Sequence, residues 1–240
     1  MGRMFEKRKA TMFKRWDRMA KAFTRCGKEI AIAVRQGGSS PEDNPALRRA
    51  IQNARAVNMP KDKIQNAIDK ASGATGGADY QEVLYEGYGP HGVPILVETA
   101  TDNLTRTVAN VRMHFRKGGG NLGTTGSVSF MFDKKGVFRL NPADLDRDEL
   151  ELELIDHGLE ALEDETSEEG ELQWVAYCAF FDFGHLQEGL DSMNIEPISS
   201  GMDWHPHNTM ELGEEQADEV AKLIDRLEQD DDVQSVFHTL

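Results

Sequence analysis

Cationic side chains are concentrated at the start of the chain, where they could bind phosphate groups. Residues 1–71 carry 17 Lys and Arg against seven Asp and Glu, whereas the remaining residues carry 10 against 35. Lysine and arginine neutralise nucleic-acid phosphates, and the release of counterions drives such binding. The acidic residues in the rest of the chain do not oppose phosphate binding, because charges are screened beyond roughly 8 Å at physiological salt. The candidate phosphate-binding residues are Arg3, Lys7, Arg8, Lys9, Lys14, Arg15, Arg18, Lys21, Arg25, Lys28, Arg48, Arg49, Arg55, Lys61 and Lys63.

Sequence motifs that read base edges are absent from this basic block. No helix-turn-helix, zinc-finger or RNA-recognition signature is present. We therefore expect contacts mainly with phosphates, and the target can be DNA or ribosomal RNA.

Two polar stretches outside the basic block invite other chemistry. Residues 118–127 (GGGNLGTTGS) are glycine-rich like a phosphate-binding loop, but they lack its Gly-Lys-Ser/Thr ending and follow a helix. They are interpreted as a helix end and loop. Asp203, His205 and His207 could bind a metal, but no second ligand cluster accompanies them. A turn at the end of a strand is the simpler interpretation, and we expect no metal and no cofactor.

Catalytic residues are equally weakly supported. Asp102 and Asn103 precede an apolar-periodic segment, which is typical of a helix N-cap, with Arg106 as an early surface charge. The competing hypothesis is an enzyme that uses Asp102, Arg106 and His91 in a cleft between domains. No Ser-His-Asp elbow, HExxH motif or paired cysteine supports a reaction class, so we expect a non-enzymatic protein.

The elements that carry the cations are predicted to be three amphipathic helices. Residues 1–11 are expected to form a mobile basic arm, and Pro60 is predicted as the first residue of the third helix. Residues 72–78 (SGATGGA) form a glycine-rich spacer after the bundle. The apolar stripes of the three helices are Phe23, Ile30 and Val34; Leu47, Ala50, Ile51 and Ala54; and Ile64, Ala67, Ile68 and Ala71.

The rest of the chain is predicted to be α+β. Strands at 83–88 and 94–99 form a hairpin, a helix follows around 104–117, and 128–132 is another strand. A strand at 204–212, a helix around 217–227 and a strand at 233–240 complete a ferredoxin-like order. The fold is therefore predicted to have three domains: a helical bundle at 1–76, a split ferredoxin-like domain at 77–133 and 200–240, and an inserted α+β domain at 134–199.

The inserted domain is strongly acidic. Strands are predicted at 136–140, 172–178 and 196–199, with helices at 147–157 and 185–193. The acidic region 149–171 is interpreted as a solvated face, and the alternative is a docking face for a basic partner. We expect residues 144–171 to lie away from the basic faces of the bundle.

Several strings along the chain resemble the YebC/PmpR family. They run in order from about residue 20 to the C-terminus: Lys28-Glu29-Ile30, Asn58-Met59-Pro60-Lys61, Tyr85-Glu86-Gly87-Tyr88-Gly89-Pro90, Thr101-Asp102-Asn103 with Arg106-Thr107, GGNLGTTGSVSFMF at 119–132, and Pro206 with Asn208-Thr209. The resemblance implies a bundle, a split domain and an inserted domain around a cleft. It also implies cleft or loop roles for Tyr85, Gly87, Tyr88, Asp102, Asn103, Arg106, Asn121 and Asn208.

The resemblance implies a cytoplasmic, non-enzymatic DNA-binding transcriptional regulator. The alternative is a ribosome-associated translation factor that binds ribosomal RNA and relieves stalling at proline-rich stretches. One departure lies at the start, where many relatives have Gly-His-Ser-Lys-Trp and this chain has Gly2-Arg3-Met4-Phe5 followed by Lys7-Arg8-Lys9. We expect a monomer whose partner is nucleic acid rather than a membrane.

Overall fold

A computed structural model describes residues 3–73, 78–143, 145–167 and 170–240, with side chains from residue 17 onward. The helices are α1 (Arg3–Gly37), α2 (Pro45–Ala56), α3 (Lys61–Ser72), α4 (Leu104–Lys117), α5 (Arg147–Ile155), α6 (Phe183–Ser192) and α7 (Glu214–Glu228). The strands are β1 (Gln81–Tyr88), β2 (Pro94–Thr101), β3 (Asn121–Leu122), β4 (Phe132–Leu140), β5 (Leu159–Thr166), β6 (Leu172–Ala179), β7 (Ser199–Pro206) and β8 (Val233–His238). In the described residues, no helix is both long enough and apolar enough to span a membrane.

The three N-terminal helices pack around a small apolar core. Asn44 fixes the turn between α1 and α2, because its Oδ1 accepts a hydrogen bond from the Leu47 amide at 3.0 Å. Its Nδ2 donates to the carbonyl oxygens of Ala33 and Gly38 at 2.7 and 2.9 Å. One side chain thus ends α1 and begins α2. The core contains the predicted residues Ile30, Val34, Leu47, Ala50, Ala54, Ile64, Ile68 and Ala71.

The first sheet has the strand order β3-β1-β2-β8, and all its neighbours are antiparallel. The C-terminal strand returns to this sheet, with Ile95 opposite His238 and Val97 opposite Val236. The predicted return of the last strand across the intervening segment is therefore confirmed. Strand β1 lies between β2 and β3, so β2, α4 and β3 form a split β-α-β unit.

Both faces of this sheet are covered. Ile95 and Val97 of β2 pack with α4 and α7. Leu96, which points the other way, packs with Phe132 and Trp204 of the second sheet. This two-sided burial explains the apolar composition of β2.

The second sheet has the order β5-β6-β4-β7 and is also antiparallel. Helices α5 and α6 contribute Leu150, Leu154, Leu186 and Leu190 to its core. The α+β fold class with an N-terminal helical bundle is confirmed.

Several predicted elements are corrected by the structure. The expected arm is helical from Arg3, because residues 3–26 contain neither Gly nor Pro; residues 1 and 2 lie outside the described part. Pro60 is the N-cap of α3 rather than its first residue. The strand predicted at 128–132 is instead a short 3-10 turn at Ser129–Met131, and β4 begins at Phe132.

The strand predicted at 204–212 was assigned to the wrong sheet. It is β7 at Ser199–Pro206, and it pairs with β4, for example Phe138 with Ser200. The acidic strand β5 was missed altogether. Its inward-facing side chains are interrupted by Glu and Asp, which an edge strand can accommodate. Acidic residues have a low strand propensity, so the sequence does not indicate a strand here.

A buried carboxylate organises the glycine-rich loop. Glu86 of β1 is 3% exposed, and its carboxylate oxygens accept hydrogen bonds from the amides of Gly126, Val128 and Ser129 at 2.7 to 2.8 Å. Burial alone would raise the pKa of Glu86, but these backbone hydrogen bonds outweigh it and lower the pKa. Residues 118–127 thus form a helix end and a loop, as predicted, together with the short strand β3, which was not predicted. The anion that this loop binds is supplied by the chain itself.

We predict that Glu86→Gln destabilises the fold by about 2–3 kcal/mol, because an amide nitrogen would face backbone donors in place of a charged acceptor. The stabilisation by Glu86 is present above the unfolded pKa of about 4.3 and is lost as pH falls through the lowered folded value. Urea unfolding at pH 7 and at lower pH measures both effects. Glu82→Gln, an exposed change on the same strand, is the control and should shift stability by less than about 0.5 kcal/mol.

Candidate nucleic-acid interface

Helix α1 is much longer than the two helices that pack against it. It has 35 residues and α2 and α3 have 12 each, so at 1.5 Å per residue α1 is about 52 Å long and its partners about 18 Å. Among its described side chains, those in the bundle core begin at Phe23. The two short helices therefore pack on its C-terminal half.

The N-terminal part of α1 carries much of the positive charge. Residues 3–16 contain six Lys and Arg and one acidic residue, Glu6. The candidates Arg3, Lys7, Arg8, Lys9, Lys14 and Arg15 are on this helical segment, and their side chains lie outside the described part.

Five candidates are exposed on the bundle surface: Arg18, Arg48, Arg55, Lys61 and Lys63. Arg48 donates to the carbonyl oxygens of Pro41 and Glu42, and the Lys63 ammonium lies 5.0 Å from the centre of the Phe23 ring. These contacts are local and leave both cationic groups at the surface. The structure thus brings these five residues to the outside of one bundle.

Lys28 is a correction to the predicted surface. It is 6% exposed, and its Nζ donates to the carbonyl oxygens of Ala100 and Asp231 and to Asp232 Oδ1 at 2.7 to 2.8 Å. A fully hydrogen-bonded buried ammonium has no donor left for phosphate. The apolar stripe of α1 correctly places Lys28 on the helix face opposite the bundle core. That face packs on the first sheet instead of facing solvent.

Asp232 is the acceptor at the centre of this contact, and sequence reasoning missed it. Its Oδ2 accepts from Arg106 Nη2 at 2.7 Å, from Thr107 Oγ1 at 2.8 Å and from Thr101 Oγ1 at 3.3 Å. Burial would raise the pKa of Asp232, but the hydrogen bonds from Lys28, Arg106 and Thr107 outweigh it and lower the pKa to about 2. The carboxylate is therefore ionised at neutral pH.

Three further candidates point towards the rest of the chain. Arg25 donates to the carbonyl oxygens of Val233 and Glu228, both at 3.2 Å. Lys21 donates to Gln229 Oε1. The guanidinium of Arg49 lies 5.3 Å from the centre of the Phe183 ring. Together with Lys28, these residues join the bundle to both sheets, so they are positioned for structure more than for phosphate.

The acidic strand lies far from the bundle within its own sheet. Strand β5 is at one edge, and the opposite edge is β7, whose Ser200 exchanges two backbone hydrogen bonds with the Asn53 side chain of α2 at 2.9 and 3.0 Å. The acidic residues of β5 are therefore three strands away from the contact with the bundle. Exposed acidic residues also occur within the bundle, at Asp17, Glu42, Asp43, Asp62 and Asp69.

Comparison with known proteins decides the family. The model of the "TACO1/YebC protein N-terminal domain" matches residues 3–74, and that of the "TACO1/YebC second and third domain" matches residues 80–240. The chain belongs to the TACO1/YebC family.

Relatives within this family are similar over their full length. A protein from Myxococcus xanthus is 59% identical over 240 residues, with 100% of both chains covered, and one from Flavobacterium psychrophilum is 50% identical, with 100% of this chain and 99% of the relative covered. Both are named "probable transcriptional regulatory protein". The crystal structure of a conserved hypothetical protein from Aquifex aeolicus has a TM-score of 0.78 and 37% identity, covering 92% of this chain and 89% of that one.

The residues that resemble TACO1/YebC motifs have largely structural contacts. A Cβ at Gly87 would lie 2.7 Å from both the Asn121 carbonyl oxygen and the Phe115 ring, so only glycine fits. Tyr88 donates its hydroxyl hydrogen to the Ser127 carbonyl at 3.0 Å. Tyr85 is half-buried against the α4 and α7 core. These residues hold β1, β3 and the Glu86 loop together.

The Thr-Asp-Asn motif forms the start of α4, as the sequence predicts. Asn103 Oδ1 accepts from the Arg106 amide at 3.0 Å, which is the N-cap bond, and Asp102 pairs with Arg106 at 2.9 Å. Arg106 contacts Asp102, Asn103 and Asp232, while His91 pairs with Glu219 of α7 at 2.9 Å. Asn208 is exposed on a loop, and Asn121 is exposed on the edge strand β3.

In the described ranges, no group of three His, Cys, Asp or Glu is arranged to hold a metal ion. His207 pairs with Asp133 at 3.0 Å, and His205 packs edge-on against Tyr177 with 4.8 Å between ring centres. These histidines therefore face different neighbours.

We predict that Lys28→Met destabilises the protein by about 3–5 kcal/mol, because it leaves the buried Asp232 carboxylate without its ammonium partner. Urea unfolding at pH 7 measures the loss. Lys61→Met, an exposed change in the same bundle, should alter stability by less than about 0.5 kcal/mol. Equal unfolding midpoints for the two variants would contradict a structural role for Lys28.

The same network predicts a pH dependence. Since the folded pKa of Asp232 is about 2, below the ordinary value of 3.8, its contribution is complete above about pH 4 and is lost as pH falls towards 2. Acid unfolding of Asp232→Asn should lack this component.

Proposed function

We propose that this protein is a non-enzymatic regulator of gene expression that binds nucleic acid in the cytoplasm through its basic N-terminal block. The naming of its relatives as transcriptional regulators favours DNA as the target. The observation that carries the proposal is the division of the cations. Lys21, Arg25, Lys28 and Arg49 point inward and support the fold, whereas the first half of α1 carries six cations and one acid.

The phosphate-binding surface would then be the N-terminal half of α1, extended by exposed cations of the bundle. A helix about 52 Å long with its basic residues spread along it can follow a phosphate backbone over many nucleotides. Phosphate contacts position a protein on nucleic acid, and base contacts give sequence specificity. We therefore infer that α1 supplies affinity and that specificity comes from nucleic-acid shape or from a second partner.

The TACO1/YebC motif at Asp102, Asn103 and Arg106 is assigned to structure rather than to catalysis. Arg106 is held by Asp102 and Asp232, and Asn103 caps α4. A catalytic carboxylate near neutral pH needs a pKa close to the working pH, and that of Asp232 lies near 2.

We predict that replacing Lys7, Arg8, Lys9, Lys14 and Arg15 together by Gln weakens binding to all sequences by roughly 100-fold or more at low salt. If the five cations neutralise five phosphates of duplex DNA, the wild-type slope of log affinity against log salt is about −4.5, and the variant slope is nearer zero. Filter binding at several salt concentrations, with duplex DNA and with ribosomal RNA, measures both quantities.

A matched control removes five exposed cations elsewhere, at Arg112, Arg116, Lys117, Lys222 and Arg226 of α4 and α7. This control variant changes the net charge by the same amount but leaves the proposed interface on α1 unchanged. It should therefore keep the wild-type affinity and salt slope. Equal losses in the two variants would contradict an interface on α1. Salt-dependent binding to ribosomal RNA without binding to duplex DNA would identify a translational regulator instead.

A further inference from the structure

A cleft of about 580 Å³ lies where the helical bundle meets both sheets. Glu29 of α1 and Arg49 of α2 line one side, Glu82 and Glu98 of the first sheet line the second, and Trp204 of the second sheet lines the third. Small-molecule sites are usually concavities of this size at domain junctions.

Two polar side chains in the cleft have no hydrogen-bond partner. Ser200 is 4% exposed, and its Oγ is unpaired; Gln234 has both amide atoms buried and unpaired. Both residues line the cleft. Leaving a buried polar group unpaired costs roughly 1–3 kcal/mol. The unpaired Ser200 hydroxyl and Gln234 amide therefore indicate that the cleft binds a polar ligand.

The cleft is also rich in carboxylates. In the pairing of β1 with β2, Leu84 lies opposite Glu98, so Glu82, two residues before Leu84, is a diagonal neighbour of Glu98 on the same face. Such neighbours are about 7–8 Å apart. Burial raises the pKa of both Glu29 and Glu98, and the charge of Glu82 raises each further. Trp204 Nε1 donates to Glu98 Oε1 at 2.8 Å, and the charge of Arg49 lowers the pKa of Glu29, but burial outweighs these contacts, so the chain compensates the two carboxylates only in part.

Two of the three cations that line the cleft, Lys134 and Arg139, have carboxylate partners. Arg139 pairs with Glu165 at 2.8 Å and lies 3.9 Å from Asp203. Lys134 lies 3.6 Å from Glu98 and also faces the Trp204 ring at 5.3 Å. Glu82, by contrast, makes no ion pair within the described ranges. The lining as a whole has four carboxylates, Glu29, Glu82, Glu98 and Asp203, against three cations, Arg49, Lys134 and Arg139, so its net charge is negative, which favours a cationic ligand over phosphate.

We propose that this cleft binds an aliphatic polyamine. Its ammonium groups would pair with the carboxylates of Glu29, Glu82 and Glu98, and its remaining N–H groups would donate to Ser200 Oγ and Gln234 Oε1. Its methylene chain would contact apolar side chains of the lining, such as Leu84 and Met202. A compact metal ion fits less well, since the described residues contain no three-ligand group. The site is separate from the proposed nucleic-acid surface.

Titration calorimetry of the full chain with spermidine tests the proposal. We expect saturable binding of one spermidine per chain. Glu82→Gln should weaken the affinity about tenfold or more through the loss of one charge-assisted contact. The double variant Ser200→Ala with Gln234→Leu should weaken it by a similar factor. These side-chain atoms have no partner in the fold, so the substitutions should leave it intact, which circular dichroism and urea unfolding check.

Two controls separate this site from general attraction of a polycation to an acidic protein. Glu215→Gln on the exposed start of α7 removes the same charge outside the cleft and should keep wild-type affinity. The neutral analogue 1,8-octanediol should not bind. Absence of saturable spermidine binding, or equal weakening by Glu82→Gln and Glu215→Gln, would overturn the proposal. The five-cation variant of α1 should bind spermidine normally, so a failure of the proposed function is distinguished from a failure of this site.

Discussion

The buried carboxylate of Asp232 connects the helical bundle to the first sheet and to α4. It accepts hydrogen bonds from Lys28 of α1, from Arg106 and Thr107 of α4, and from Thr101 at the end of β2. A carboxylate taken out of water loses several kcal/mol of solvation, and only near-complete hydrogen bonding offsets the loss. The position of α1 on the first sheet is therefore strongly specified. Since the basic half of α1 continues from the same helix, this contact also sets the direction in which the cations extend.

The remaining contacts between the bundle and the body are mostly polar. Arg25 bonds to backbone carbonyls near β8, and Asn53 bonds to both backbone groups of Ser200 as a neighbouring strand would. Such contacts depend on direction more than on buried area, so they fix orientation while leaving a polar cleft between the units. Glu86 applies the same physics inside the first sheet, where one carboxylate orders a glycine-rich loop through three backbone amides. The glycine-rich loop resembles a phosphate-binding loop because it does bind an anion, the carboxylate of Glu86 on β1.

Local patterns in the sequence were sufficient for the helices, the hairpin and the family. The helical stripes identified the bundle core, and the Asn103 cap was correct down to its hydrogen bond. Errors arose where a residue served a distant partner. The stripe of α1 correctly placed Lys28 outside the bundle core, but it carried no information on the sheet that covers that face. The order of elements was enough to predict that β8 returns to the first sheet. The sheet to which β7 belongs could not be predicted in this way, because it depends on the pairing of β7 with β4. The burial of Asp232 was not predicted, because a pattern of charges in the sequence does not reveal which of them is paired.

This distinction changes how the charge of the basic block is interpreted. A count along residues 1–71 treats every cation as available to phosphate, but Lys28 is neutralised by Asp232, and Arg25 and Lys21 are bound to acceptors near the start of β8. The cations thus divide into a set that attaches the bundle to the body and a set that extends along α1. The first set supports the second, because a helix that is fixed at one end loses less entropy on binding than a free segment would.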